Sequence, residues 1–179
     1  MKKYITLFLI SISILCQAQD KMLTKNGIVT FEASVPSFEE IKAKSSTASC
    51  IINTNTGEIA SLVLMKSFRF KIALMEEHFN ENYVESDKFP KATFKGKIQD
   101  FDYSKIASTP KNYTIKGVLE MHGKSKEVTT IATIKKGKDG LDIQAVFTIN
   151  TDDFDIEIPN IVSKKVSKKV TIALDFILK

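Results

Sequence analysis

Two cysteines, two histidines and a single arginine are all this chain carries of the residues that most often do chemistry. Each shortage removes a class of function. Cys16 lies in an N-terminal apolar segment and Cys50 stands alone beyond it, so no disulfide framework staples the fold and hydrophobic burial must hold it. Within A-S-C-I-I, Cys50 reads as a small apolar residue of a strand. Zinc needs three or four ligands at metal spacing, and His78, His122 and a distant Cys50 propose no such site. A general base needs a nucleophile or a substrate proton within reach; nothing near His78 in E-E-H-F supplies one, and His122 before Gly123 reads as a polar turn residue. Gly117, Gly123, Gly137 and Gly140 lack phosphate-loop spacing and read as turn or bulge positions. The expectation is a protein with no catalytic residue, no cofactor and no metal, hence not an enzyme.

Long apolar runs are also scarce. The longest, Ile5 to Leu15 behind Lys2 and Lys3, is too short to cross a bilayer, which takes about 20 residues. It reads as a signal peptide, residues 1–18, with Cys16-Gln17-Ala18 supplying small residues for cleavage after Ala18. The alternative, a lipid anchor on Cys16, places the bulky Leu15 where lipoproteins prefer smaller residues. Residues 19–179 are then one domain of 161 residues, periplasmic or secreted, without a transmembrane segment. Its 24 basic and 21 acidic groups leave +3, too little and too scattered for nucleic acid. The lysines of S-K-K-V-S-K-K-V, Ser163 to Val170, read as a solvated strand end or turn.

What remains is strand after strand. Val29, Phe31 and Ala33 share a face until Pro36; Ser37 and Glu40 form a capping-box pattern that predicts a short helical turn; Ala48 to Thr54 resumes strand composition. Glu58 to Phe70 alternates imperfectly, which predicts a bend or bulge near Lys66-Ser67. From Ala73 to Tyr83, Met75, Phe79 and Tyr83 fall four apart on one face of a short helix. Alternating runs follow at Ala92–Ile98, Tyr113–Met121, Val128–Ile134, Leu141–Ile149 and Val170–Leu178. Roughly eight strands, one helix and no βαβ rhythm predict an all-β fold: an antiparallel barrel with the helix capping or flanking it. A barrel of about eight strands is either filled by side chains or holds one small ligand. The expected inward faces mix Phe94, Tyr113, Phe147 and Phe176 with Ala92, Gly117, Ala132 and Ala145, which fits both.

Two segments carry a resemblance. H-F-N-E-N-Y-V-E-S-D-K-F-P-K-A-T-F-K-G, His78 to Gly96, and Y-T-I-K-G-V-L-E-M-H-G-K-S-K-E-V, Tyr113 to Val128, resemble the helix–loop–strand and strand–turn–strand signatures of the YceI-like family. That resemblance implies a secreted, lipocalin-like barrel binding a polyisoprenoid lipid in an elongated apolar tunnel closed by the helix. On this basis the expected lining comprises Phe68, Phe70, Met75, Phe79, Tyr83, Phe94, Tyr113, Ile115, Leu119, Met121 and Phe147, with Arg69, His78 and His122 as polar groups at the mouth. Many relatives have a histidine in the first strand region, whereas this chain has none before His78. A diphosphate head group would need cationic donors that one arginine hardly supplies, while a neutral quinone or carotenoid-like tail asks for less. The alternative is a solid barrel without ligand, acting in envelope stress or on a partner through its surface; a homodimer is left open.

Overall fold

The structure, a computed structural model, describes residues 20–179. The proposed cleavage after Ala18 and the anchor on Cys16 lie outside the described residues. Nine strands follow in chain order: β1 Lys21–Ser34, β2 Lys42–Asn53, β3 Glu58–Leu64, β4 Arg69–Phe70, β5 Lys91–Ile98, β6 Lys111–Met121, β7 Lys124–Lys136, β8 Leu141–Asn150 and β9 Val166–Leu178. Among the described residues one α-helix, α1 at Ala73–His78, runs on into a π-helical turn at Phe79–Tyr83.

All strand pairings are antiparallel, and the hydrogen-bonded order β1-β9-β8-β7-β6-β5-β3-β2 returns to β1 through a β1–β2 ladder. Eight strands therefore close on themselves, which removes the open edges a sheet would otherwise expose. The two-residue β4 is an addition: after β3 the chain turns a 3-10 corner at Met65–Ser67 and then pairs with the start of β2 through Ala43↔Phe70 and Lys44↔Arg69. This is the bend expected near Lys66-Ser67.

Two local expectations are corrected. No helical turn forms at Ser37: the residue has φ 74°, and the Phe38 amide donates to the Val35 carbonyl at 3.2 Å, closing a tight turn instead. An N-cap residue takes extended backbone, so the left-handed Ser37 cannot serve as the cap of the capping-box pattern. The second strand begins at Lys42 rather than Ala48, because Ala43 and Ser45 continue the inward face. Ser45 is fully buried, with its hydroxyl 2.7 Å from that of Ser67 at the corner.

The lower half of the barrel is solid. Ile52, Ile98, Ala132, Ile134, Leu141 and Leu178 have no exposed surface at all and form a floor between the strand ends there. Cys50 sits in this wall, where burial pushes its thiol up to about 12. Deep burial with so little thiolate predicts inertness. N-ethylmaleimide at pH 8 will leave Cys50 unmodified in the native protein and alkylate it after unfolding in guanidinium. Cys50→Ala will lower stability by about 1 kcal/mol through lost apolar contact, measured by denaturant titration. Native-state alkylation at the unfolded rate would show that β2 opens.

Candidate functional site

Above the floor the barrel is hollow. A cavity of about 480 Å³ opens toward α1, within the range of small-molecule sites. Its wall is built by inward alternation: Val29 and Phe31 from β1, Phe94 from β5, Ile115, Leu119 and Met121 from β6, Phe147 from β8, and Ile172, Leu174 and Phe176 from β9. Phe94 lies over two glycines that face each other across the β5–β6 ladder, Gly96 and Gly117. A Cβ on Gly117 would come 2.5 Å from Phe94 Cζ and one on Gly96 2.7 Å, so both positions must lack a side chain for the ring to lie there.

Over the mouth sits an aromatic cluster. Phe79, from the π-helical turn, stacks on Phe31 with centroids 5.1 Å apart and contacts Phe70 at 5.2 Å and Phe68 at 5.9 Å. Phe31 also meets Phe68 and Phe70 edge-on, at 5.2 and 5.6 Å. Each such pair contributes about 0.5–1.5 kcal/mol beyond its buried area. Glu76 ties the helix to the strand beneath: one carboxylate oxygen accepts from Arg69 Nη1 at 2.8 Å, the other from the Phe70 amide at 3.1 Å. The lid is thus anchored by an apolar cluster on its inner side and a carboxylate on its outer side.

Of the expected lining residues, Phe68, Phe70, Met75, Phe79, Tyr83, Phe94, Ile115, Leu119, Met121 and Phe147 all border this cavity. Tyr113 does not. It is on the inward face as alternation requires, but it sits buried in the core toward the floor, with Lys111 Nζ 5.3 Å from its ring centroid. Two of the three expected mouth groups are also placed elsewhere. Arg69 is exposed and engaged with Glu76 rather than with the cavity. His122 is the first central residue of the β6–β7 turn; it and Gly123 have φ of 51° and 74°, the backbone a two-residue hairpin turn demands. Its Nδ1 donates to the Phe154 carbonyl at 2.8 Å and its Nε2 lies 3.1 Å from Glu85 Oε2, so it fastens three loops together outside the cavity. Only His78 of the three reaches the rim, where Glu39 and Lys165 are the charged groups.

The expected lining left out Phe31, the hub of the aromatic cluster, together with Ile172, Leu174 and Phe176 of the last strand. All four belong to inward runs that alternation revealed. Also left out are Phe38 and Ile41 from the β1–β2 loop, and Ile156, Ile158 and Val162 from the segment before β9. These stand in irregular backbone, where no period marks a face. Among the described residues no group of three or more histidine, cysteine, aspartate or glutamate side chains is placed to hold a metal ion. None of their helices is long and apolar enough to cross a membrane.

The barrel is shared with solved structures. A polyisoprenoid binding domain from Saccharophagus degradans, implicated in plant cell wall breakdown, superimposes with a TM-score of 0.76 at 15% identity, over 89% of this chain and 98% of that one. BcnA from Burkholderia cenocepacia gives 0.69 at 16% identity, over 85% and 94%. A YceI protein from Campylobacter jejuni gives 0.62 at 17% identity, over 81% and 87%. No curated protein matches by sequence. These identities are low enough that the structures speak for the fold alone, but the YceI-like domain model matches residues 21–178, and the chain belongs to the YceI-like family.

Proposed function

We propose that this protein is a periplasmic or secreted binding protein that sequesters or carries a polyisoprenoid-type lipid in its barrel. The observation that carries the reading is the hollow upper half: an apolar cavity of about 480 Å³ under an aromatic lid, in a barrel whose lower half is packed solid. A fold that could fill its interior and instead leaves it open above a closed floor is suited to hold a chain-like apolar molecule inserted from one end. The polyisoprenoid binding domain of Saccharophagus degradans, on the same fold, points to an isoprenoid. Delivery outside the cytoplasm rests on Lys2, Lys3 and the apolar run that follows them.

The rim narrows the head group. It offers one ammonium, Lys165, against one carboxylate, Glu39, with His78 beside them, and Arg69 is held by Glu76. A diphosphate would require several converging donors. A neutral isoprenoid such as a polyprenol or a quinone suits this rim better. Binding rather than turnover is favoured because the cavity presents no nucleophile paired with a base.

Mass spectrometry of organic extracts of the purified protein tests the reading directly. A neutral isoprenoid recovered at close to one mole per mole of protein is expected; a folded protein with an empty interior that takes up no polyprenol would leave the partner-binding barrel in its place.

A further inference from the structure

The wall of the barrel is interrupted between β7 and β8. Their ladder has five rungs, Lys136↔Leu141 up to Ala132↔Ala145, whereas β6 and β7 pair over eleven and β8 and β9 over ten. Above Ala132 and Ala145 the two strands continue to the mouth without pairing. They are joined again only at the top, through the turn that follows β8. There Lys126 Nζ lies 3.1 Å from Asp153 Oδ1, Lys124 Nζ lies 2.7 Å from Asp155 Oδ2, and His122 donates to the Phe154 carbonyl. The gap is therefore a bounded window, with two alanines as its sill and an ion-paired turn as its lintel.

This window connects inside to outside. Val128, Thr130, Phe147 and Ile149 border the interior cavity and also the groove on the outer face of the wall. Flanking the groove on the solvent side are Ile131 and Val146, 61% and 66% exposed, on strands whose outward positions are otherwise mostly polar. An unpaired stretch inside a closed barrel forgoes several backbone hydrogen bonds, so the sequence tolerates an opening that regular pairing would remove. The mouth offers a harder route, because it is covered by the Phe31–Phe79 stack and the helix.

We propose that the β7–β8 window is the portal through which the isoprenoid chain passes between the interior and an apolar phase outside, a step that rests on the lipid-binding reading above. A chain threading it passes from Ile131 and Val146, across the threonines Thr130 and Thr148 at the gap, to Val128, Phe147 and Ile149, and the lid stays shut. A strand from a partner protein could pair with the free edges, but the apolar inward side of the window and its continuity with the cavity fit a lipid chain better.

The test obstructs the window and leaves the cavity intact. Thr148 is exposed on the outer face of β8 beside the gap, and Lys95 is exposed on β5, with the whole of β6 between it and β7, and borders neither cavity. Thr148→Cys and, as control, Lys95→Cys are each coupled to a bulky maleimide, and uptake of undecaprenol from phosphatidylethanolamine vesicles is followed by mass spectrometry. The labelled Thr148→Cys protein will load about tenfold more slowly than the labelled control and reach the same final amount, as expected of an obstructed gate. Equal rates would overturn the portal and put entry at the mouth. A fall in the final amount would overturn it too, since the label would then be displacing the ligand. If the unlabelled protein takes up no undecaprenol, the lipid-binding reading fails and the portal with it.

Discussion

Ile134→Ala will lower stability by about 2–5 kcal/mol and leave the lipid recovered per mole of folded protein unchanged, whereas Ile172→Ala will lower stability by only about 1 kcal/mol and reduce the lipid recovered. Both variants remove the same atoms from inward-facing isoleucines, so the difference lies in what surrounds them. Ile134 is fully buried in the floor, where truncation leaves a new void among close-packed neighbours. Ile172 is half-buried on the cavity wall, where truncation only enlarges a space that already exists. The lost contacts at Ile172 belong instead to the ligand. Guanidinium unfolding and extraction of each purified variant measure the two quantities. Equal stability losses would mean that the interior is packed to one density throughout, and the hollow upper half would have to be abandoned.

Alternation made the barrel legible in the sequence, because a strand with one buried face writes that face into every second residue. The runs at Tyr113–Met121, Leu141–Ile149 and Val170–Leu178 each turn the expected side inward. What alternation cannot report is depth along the barrel axis. Tyr113 and Leu119 share a face and a strand, yet one belongs to the packed core near the floor and the other borders the cavity. The start of β2 was illegible for a different reason. Its buried positions include Ser45, satisfied by a hydroxyl from a corner twenty-two residues away, and a serine on the inward face looks like a loop until its partner is known. Arg69 and His122 were candidates because they are polar and near the right elements. Their side chains are instead taken up by Glu76, and by Glu85 and the Phe154 carbonyl, pairings that depend on how distant segments meet.

Phe79→Ala will release the lid while the barrel stays folded. Six α-helical residues and a π-helical turn are fewer than the roughly 12–15 an isolated helix needs even for marginal stability, and α1 has no side-chain cap at its N-terminus. The segment is ordered by what it packs on, chiefly the Phe79 ring among Phe31, Phe68 and Phe70, with Glu76 as a second tether. Losing the ring should lower amide protection across residues 73–84 by about 10–100-fold, or about 1.4–2.8 kcal/mol of local stability, while β6 to β9 keep theirs. Leu74→Ala, on a side chain 57% exposed, should change neither. Hydrogen exchange read by mass spectrometry resolves the two regions. If β6 to β9 lose protection in step with the helix, the lid is not a separate unit and its aromatic cluster is part of the barrel's own core. If the helix alone loosens, the same variant distinguishes the routes into the cavity: entry under the lid would accelerate once Phe79 is gone, whereas passage between β7 and β8 would keep its rate, because none of the residues bordering that window touches the helix through the Phe79 cluster.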